Sequence, residues 1–257
     1  MTVTGGKGLR CRLLDGETVF GASCMLGSPA VAEAMAGADL DFVYIDQQHG
    51  LTSFDTLVAV LRAFGRTKTV PLVRVLSNDL SLIGQALDAG AEGVIIPMVN
   101  SREDAERAAA SCRYAPVGRR SFGPVRAGLL HGRDPLAANE RVLCLVMIET
   151  AEGVAAAKEI ASTPGIDGVY IGQADLALTL GLQPLVQIQP GIHQDAIQRI
   201  GAACDEAGIV RGINGSVEEM VAAGYRLITI GSDVAILNRG LEQLRQRQAQ
   251  VSGSHYG

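Results

Sequence analysis

Short apolar runs rich in Val, Ile and Leu alternate along the chain with segments whose apolar residues recur at helical spacing. Such alternation is typical of βα units arranged around a parallel sheet. The pattern predicts strands near 18–25, 41–46, 69–75, 93–98, 142–148, 168–172, 208–213 and 226–231. It predicts helices near 29–37, 53–65, 79–89, 101–112, 151–162, 193–207, 216–223 and 233–250.

Three pairs of side chains at predicted helix starts resemble capping boxes, in which a hydroxyl and a carboxylate satisfy free backbone amides. They are Thr52 with Asp55, Ser101 with Asp104, and Ser216 with Glu219. Two stretches, 113–140 and 173–192, break the alternation, and we expect them to be long connections without helices or strands of their own. Connections of that kind are usually functional or mobile.

The chain has 257 residues, which matches a (β/α)8 TIM barrel, whose typical size is about 250 residues. We therefore expect one α/β domain spanning 1–257, with a short flexible N-terminus and a flexible tail after about residue 250. Barrels of this class place their chemistry at the C-terminal ends of the strands, here called the mouth. Stretch 113–140 enters the fifth strand at the opposite end and would reach the mouth only over the rim.

Composition and charge exclude several classes of protein. Apolar residues make up 47% of the chain and charged residues 19%, which suits a large buried core. The net charge of −5 argues against a nucleic acid partner. No apolar run approaches the ~18 residues needed to cross a membrane, and the first residues lack the apolar core of a signal peptide. We expect a cytoplasmic protein whose five cysteines, which form no CxxC pair, pack as small apolar groups.

Two predicted neighbouring strands each run into a carboxylate. Glu149 follows the fifth strand and Asp175 follows the sixth, so the barrel brings both to one side of the mouth. Two oxygen donors without nearby Cys suit Mg²⁺ or Mn²⁺ better than structural zinc. The alternative is that each carboxylate caps the following helix or pairs with an arginine.

Other charged groups converge on the same mouth. His49 follows the second strand, and Asp46, three residues earlier, is expected to accept its ring N–H and so orient a general base. Arg74 ends the third strand, where its guanidinium would either bind a substrate oxyanion or form a salt bridge with Asp46 or Asp88. By its own context Asp88, late in a helix, is a solvated or pairing charge.

The chain offers no lysine for a Schiff-base mechanism. Lys7, Lys68 and Lys158 are the only lysines, and none follows a predicted strand at its C-terminal end. Because such a mechanism needs a buried lysine facing the substrate carbonyl, electrophilic catalysis would come from a metal ion and Arg74.

Five motifs occur in order along the chain: Tyr44-Ile-Asp-Gln-Gln-His-Gly50, Val73-Arg-Val75, Leu87-Asp-Ala-Gly-Ala91 leading to Ile96-Pro-Met-Val99, Met147-Ile-Glu-Thr150, and Gly168-Val-Tyr-Ile-Gly-Gln-Ala-Asp-Leu-Ala177. Together they resemble the class II pyruvate aldolases of the HpcH/HpaI family, which include 4-hydroxy-2-oxoheptanedioate aldolase and 2-keto-3-deoxy sugar acid aldolases. The resemblance covers about residues 17 to 240. It identifies the chain with this family far more specifically than any single motif would.

The resemblance implies a role for each of these residues. Glu149 and Asp175 correspond to ligands of a divalent ion (Mg²⁺, Mn²⁺ or Co²⁺), with no organic cofactor. His49 with Asp46 corresponds to the acid/base pair, and Arg74 to the group that binds the keto oxygen and stabilises the enolate. The turn Gly172, Gln173 and Ala174 carries the amides that receive the pyruvate carboxylate, and Gln48 lies beside the substrate. Asp88 has a supporting role, which in some family members a neighbouring subunit supplies.

The resemblance also implies an assembly and shows two departures. Family members form trimers or hexamers that exchange the last helix, whose apolar residues here, Val234, Leu237, Leu241 and Leu244, equally fit intramolecular packing. Gln48 stands where the family often has Glu, and because an amide cannot accept a proton, proton handling would rest more heavily on His49. Gln173 stands where the family often has Pro, which affects substrate choice more than reaction type.

The implied reaction is the reversible cleavage of a 4-hydroxy-2-oxo acid to pyruvate, or hydroxypyruvate, and an aldehyde. His49 removes the hydroxyl proton, the C3–C4 bond breaks, and the metal and Arg74 stabilise the enolate. Three alternatives stay open. They are a CoA-thioester lyase of the citrate lyase beta-subunit type, disfavoured because the chain lacks an evident basic surface, a phosphate cradle at 212–216, and a non-catalytic barrel that binds keto acids.

Overall fold

Eight parallel strands close into a barrel in the computed structural model, which describes residues 7–185 and 187–253. Each strand pairs in parallel with its neighbours in sequence, and the first pairs with the last. The strands are β1 (Val19–Cys24), β2 (Phe42–Asp46), β3 (Val70–Arg74), β4 (Gly93–Ile96), β5 (Leu143–Ile148), β6 (Gly168–Ile171), β7 (Val210–Asn214) and β8 (Leu227–Ser232). The predicted (β/α)8 TIM barrel is confirmed.

Helices surround the strands and follow most of the predicted boundaries. Before β5 they are α1 (Leu9–Leu14), α2 (Pro29–Ala36), α3 (Phe54–Ala63), α4 (Leu80–Asp88), α5 (Arg102–Cys112), α6 (Arg126–His131) and α7 (Pro135–Arg141). After β5 they are α8 (Ala151–Ala155), α9 (Ala157–Ala161), α10 (Gln173–Thr179), α11 (Ile192–Ala207), α12 (Val217–Ala222) and α13 (Asp233–Gly253). A short 3-10 turn, Phe64–Arg66, extends α3.

The two stretches expected to lack regular structure do contain helices, so that prediction was wrong. Stretch 113–140 holds α6 and most of α7, and stretch 173–192 holds α10. These helices have six or seven residues each, which is less than two full turns and too short for a helical period to stand out. The same limit hid α1 and the break at Ala156 that divides the predicted helix 151–162 into two.

Of the three predicted helix caps, one is confirmed, one is shifted by a residue, and one makes no capping hydrogen bond. The Ser101 hydroxyl accepts the Asp104 N–H at 3.1 Å, as expected. At α3 the cap is Ser53 rather than Thr52, and its hydroxyl accepts the N–H of Thr56. Ser216 occupies the cap position of α12 but makes no capping hydrogen bond. Spacing alone therefore locates a helix start to within a residue or two.

Two apolar layers hold the barrel together. One lies between the strands and the surrounding helices and includes Val43, Ile45 and Val73. The other fills the inside of the barrel and includes Phe42, Leu72 and Leu143, together with Leu9 and Leu13 of α1. Because Leu9 and Leu13 are 2% and 1% exposed and pack against the first residues of the strands, α1 closes the end opposite the mouth.

The last helix leaves the body of the chain with its apolar face exposed. Leu237, Leu241 and Leu244 are 52%, 54% and 60% exposed, so the chain itself does not cover them. Over the residues described, no helix is both long and apolar enough to cross a membrane. The flexible segments predicted at the ends fall largely outside the described range, since α13 continues to Gly253. The single-domain assignment of 1–257 stays a prediction.

Candidate active site at the mouth of the barrel

Strand periodicity explains why the candidate residues face the inside of the barrel. Side chains alternate between the two faces of a strand, so residues two apart share a face. Tyr44 and Leu72 lie in the inner layer, and Asp46 and Arg74 stand two positions further along the same strands. Met147 also lies in the inner layer, and Glu149, two positions further along the chain, faces the inside of the barrel for the same reason. The mouth is therefore the next layer of the interior.

Asp46 and Arg74 form an ion pair across neighbouring strands. They are register partners in β2 and β3, and both guanidinium contacts are hydrogen bonds, from Nε to Oδ1 at 2.9 Å and from Nη2 to Oδ2 at 2.5 Å. Burial alone would lower the pKa of Arg74, but the hydrogen bonds and charge of Asp46, together with Tyr44 and Tyr170, outweigh it and raise the pKa above its ordinary value. Arg74 is therefore a permanent cation, and its Nη1 makes no hydrogen bond to any residue that the structure describes.

The expected contact between Asp46 and the His49 ring is replaced by a different one. Asp46 Oδ1 accepts the backbone N–H groups of Gln48 at 3.0 Å and His49 at 3.3 Å, in addition to the Arg74 side chain. With three donors on Oδ1 and one on Oδ2, the carboxylate orients the His49 backbone instead of its imidazole. The imidazole is exposed at the mouth, and no described residue hydrogen bonds to it.

Glu149 is completely buried, yet only half of its carboxylate has a partner. Oε1 accepts the backbone N–H of Met98 at 2.7 Å, whereas Oε2 is buried and makes no hydrogen bond to a residue in the described ranges. Burial raises the pKa of Glu149, and the nearby charge of Asp175 raises it further, against the opposing effects of Met98 and Arg74. A buried carboxylate oxygen without a partner is costly unless a ligand completes it.

Met98 contributes a backbone group that the sequence did not indicate. Its φ of 56° lies in the left-handed region, which non-glycine residues seldom adopt. This conformation accompanies the hydrogen bond from its N–H to Glu149. Unusual backbone angles are concentrated at functional sites, where the surrounding structure holds them in place. The Pro97-Met98 pair after a strand was the available signal, but sequence spacing gives no backbone angle.

The turn from β6 into α10 supplies free amides. The N–H of Gly172 donates to the Ile148 carbonyl at 3.2 Å and is therefore engaged within the chain, and the role of Gly172 in substrate binding stays a prediction. The N–H groups of Gln173 and Ala174 open α10 and have no acceptor in the part of the chain that the structure describes. Free amides at a helix start favour an anionic ligand.

Gly172 has a different function in the site. A Cβ atom at this position would lie 2.5 Å from Oε2 of Glu149, a separation too short for nonbonded atoms. The absent side chain therefore leaves space for the Glu149 carboxylate beside the turn that carries Asp175. Asp175 is in the first turn of α10 and half buried.

The carboxylates fit the divalent ion that the sequence predicts. Glu149 Oε2 is an orphaned hard oxygen donor, and Asp175 brings a second carboxylate close enough to affect the pKa of Glu149. Mg²⁺ is usually bound by one or two carboxylates, with water and substrate completing its shell. Among the residues described, no group of three or more His, Cys, Asp or Glu could hold a metal by itself, which agrees with a site of this open kind.

Asp88 lies away from the mouth of its own barrel. It ends α4, near the N-terminal ends of the strands, and accepts a hydrogen bond from Nη2 of the buried Arg120 at 2.6 Å. Arg120 belongs to stretch 113–140, and Arg126 from the same stretch binds the Ala89 carbonyl. This stretch therefore packs at the end opposite the mouth, and within one chain Asp88 supports no group of the site.

Two further candidates are resolved by their contacts. In the 212–216 loop the Gly215 N–H binds the Thr229 carbonyl, and Met220 fills the space beside Gly215, so the loop is not open as a phosphate cradle. Gln48 is half buried, and its side-chain oxygen is buried without a partner among the described residues. Gln48 therefore remains a candidate for binding a hydrogen-bond donor.

Comparison with known proteins agrees with this geometry. Residues 24–239 match the family described as HpcH/HpaI aldolase/citrate lyase. The chain is 43% identical to a hydroxypyruvate/pyruvate aldolase of Rhizorhabdus wittichii over 235 residues, covering 90% of this chain and 94% of the relative. It is 35% identical to a 4-hydroxy-2-oxovalerate aldolase of Rhodococcus jostii over 249 residues, covering 94% and 96%.

A solved structure gives the same result. The crystal structure of an HpcH/HpaI aldolase/citrate lyase family protein from Burkholderia cenocepacia superposes with a TM-score of 0.88 at 34% identity, covering 94% of this chain and 98% of that one. Proteins of this family generally depend on a divalent metal. The barrel, the two adjacent carboxylates at its mouth and the match over most of its length show that the chain belongs to the HpcH/HpaI aldolase/citrate lyase family of carbon-carbon lyases.

Proposed function

We propose that this protein is a divalent-metal-dependent aldolase that reversibly cleaves 4-hydroxy-2-oxo acids to pyruvate, or hydroxypyruvate, and an aldehyde. The observation that carries the proposal is the buried Oε2 of Glu149, which has no partner among the described residues and lies near Asp175 and the Arg74 guanidinium. Glu149 and Asp175 would hold Mg²⁺, Mn²⁺ or Co²⁺. When bound, such an ion supplies Lewis-acid polarisation of the 2-oxo acid.

The chain's own groups account for binding of the 2-oxo acid. The free N–H groups of Gln173 and Ala174 face the position where a carboxylate would complete the start of α10. Arg74 presents the Nη1 edge of its guanidinium, which no described residue pairs with, while Asp46 holds the other edge. A cation fixed in this way stabilises the negative charge that develops on the keto oxygen when the C3–C4 bond breaks.

Proton transfer is assigned to His49. Its imidazole is exposed at the mouth and unpaired among the described residues, so it is free to take the proton from the C4 hydroxyl of the substrate. The paired Asp46 keeps the His49 backbone in place through its N–H. Gln48, an amide, contributes a hydrogen-bond acceptor and no titrating group.

A coupled assay tests the function directly. Pyruvate release from a panel of 4-hydroxy-2-oxo acids is followed with lactate dehydrogenase, before and after chelator and after adding back Mg²⁺, Mn²⁺ or Co²⁺. Turnover that chelator abolishes and a divalent ion restores supports the proposal. Turnover that survives thorough removal of metal would contradict it.

Two further measurements, of CoA-thioester cleavage and of keto-acid binding, separate the rival functions. Release of product from citryl-CoA or malyl-CoA, with none from the free acids, would favour a CoA-thioester lyase. Tight binding of keto acids without any cleavage would favour the non-catalytic barrel. Neither has a specific observation in its favour beyond the shared fold and the replacement of Glu by Gln48.

We also propose that the protein forms a homo-trimer or homo-hexamer in which α13 lies against a neighbouring subunit. The exposed leucines Leu237, Leu241 and Leu244 would then be covered by another copy, since their own chain leaves them open. Light scattering after size exclusion should show a trimer or hexamer for the wild type and smaller species for Leu241→Glu. A monomeric wild type would contradict the exchange. The cytoplasmic location stays a prediction from the sequence.

A further inference from the structure

Below the ion pair, the inside of the barrel carries a layer of hydroxyl groups. Tyr44 of β2 and Tyr170 of β6 meet edge to face, with ring centroids 6.1 Å apart and an interplanar angle of 72°. The Tyr170 hydroxyl donates to Thr229 Oγ1 of β8 at 2.9 Å. These three residues are 6%, 4% and 0% exposed. The mechanism proposed above uses none of them.

This layer touches the site at one point. The Cζ atom of Arg74 lies 5.8 Å from the centroid of the Tyr44 ring, within the range of a cation–π contact. Asp46 holds the guanidinium at one edge, and Tyr44 holds it at one face. Tyr170 and Thr229 in turn fix the Tyr44 ring from the other side of the barrel. The contacts thus form a continuous series across the interior, from Thr229 to Arg74.

We infer that Tyr44 is a positioning residue for Arg74, and that the series Thr229, Tyr170, Tyr44 keeps the free Nη1 edge of Arg74 aimed at the substrate. The inference rests on the proposed function, in which Arg74 stabilises the enolate. Burial raises the pKa of both tyrosines, so both rings stay neutral and neither phenol competes with Asp46 for the guanidinium. A neutral aromatic face therefore orients the cation without cancelling its charge.

A double-mutant cycle tests the inference. Tyr44→Leu removes the ring, Tyr44→Phe keeps it, and Arg74→Gln removes the charge that the ring would position. We expect Tyr44→Leu to lower kcat about tenfold, with less than about twofold change in KM, whereas Tyr44→Phe stays near the wild type. In the Arg74→Gln background, Tyr44→Leu should have no further effect, because its effect acts through Arg74.

A binding measurement supplies a second readout. Oxalate resembles the planar enolate of pyruvate, so its affinity for the Mn²⁺-loaded protein should fall about tenfold in Tyr44→Leu, and adding Tyr44→Leu to Arg74→Gln should lower it no further. Tyr225→Leu is the matched control, because Arg211 lies 5.5 Å from the Tyr225 ring at the opposite end of the barrel. It should lower Tm without changing kcat.

Each result decides the matter. The inference would be overturned if Tyr44→Leu lowered kcat and oxalate affinity by the same factor in the wild-type and Arg74→Gln backgrounds. It would also be overturned if Tyr44→Leu lowered neither quantity in either background. Should Tyr44→Leu fail to fold, Tyr170→Phe keeps the ring but removes the bond to Thr229. It should lower kcat about threefold when Arg74 is present and have no effect in the Arg74→Gln background. The wild type is assayed first, and a wild type that releases no pyruvate contradicts the proposed function. If the wild type is active but the effects of Tyr44→Leu and Arg74→Gln on kcat are additive, only the role of Tyr44 is contradicted.

Discussion

Asp46 and Arg74 stand directly opposite each other on β2 and β3 and share two hydrogen bonds inside the barrel mouth. Asp46 is fully buried, and the Arg74 side chain is 12% exposed. At such depth each charge depends on the other, because an unpaired buried ion is strongly disfavoured. The pair therefore links the stability of the mouth to the placement of the Arg74 guanidinium.

Removing one member of the pair should destabilise the fold. We expect Asp46→Ala to lower the free energy of unfolding by about 3–5 kcal/mol, because it leaves a buried cation unpaired. Urea denaturation measures the loss. The double variant Asp46→Ala with Arg74→Ala should lose less free energy of unfolding than the sum of the losses in the two single variants. Strictly additive losses would show that the two side chains do not interact.

Replacing His49 should affect turnover and leave the fold intact. The imidazole is exposed and makes no hydrogen bond to a residue that the structure describes, so His49→Ala should keep the wild-type Tm and Mn²⁺ affinity. Loss of a general base lowers kcat by about 10²–10⁴-fold. Steady-state kinetics measure this, and a kcat close to that of the wild type would remove His49 from the mechanism.

A single methyl group at Gly172 should disrupt the metal site. Its backbone angles, φ −88° and ψ 84°, are open to alanine, so Gly172→Ala acts through the Cβ that would lie 2.5 Å from Glu149 Oε2. Displacement of the carboxylate should weaken Mn²⁺ binding about 10–100-fold by calorimetry. Gly84→Ala is the control, since nothing lies within 4 Å of its added Cβ. Equal affinity in both variants would contradict the geometry.

Glu149 should make the metal-free protein less stable at neutral pH. Burial raises its pKa in the folded state, so the folded protein binds the proton more tightly than the unfolded chain does. Stability from this group therefore falls as pH rises through the raised pKa, and it returns as pH falls. Glu149→Gln should raise the Tm of the metal-free protein at pH 7 by a few degrees, with a smaller gain at acidic pH.

The control for that change is Glu33→Gln, an exposed glutamate of α2, which should leave Tm unchanged at either pH. Glu149→Gln should also abolish metal-dependent turnover, so stability and function oppose each other at this position. A Glu149→Gln protein less stable than the wild type at pH 7 would show that the carboxylate has a partner in solution.

Much of the fold and part of the site could be predicted from the order of residues alone. Eight apolar runs joined by helical segments predict the barrel. A charged residue that ends or directly follows one of these runs is predicted to lie at the mouth. Glu149, Arg74 and Asp46 lie there because strand alternation is a local property. What spacing could not decide is which groups pair, since the choice of Asp46 over Asp88 as the partner of Arg74 depends on the register between strands.

Backbone groups explain the rest of what was missed. The Met98 N–H and the bonded amide of Gly172 depend on backbone dihedral angles and on hydrogen bonds between strands. No side-chain pattern encodes them. The His49 ring was expected against Asp46 because the two are close in sequence, but the guanidinium and two amides occupy that carboxylate first.

Leu9 and Leu13 of α1 seal one end of the barrel, and packed side chains fill it up to Tyr44 and Tyr170. Over the residues that the structure describes, this packing leaves solvent no passage along the barrel axis. Substrate entry, proton exchange with solvent and release of the aldehyde therefore all take place through the mouth. A segment that covers the mouth in the assembled protein would limit the rates of all three processes.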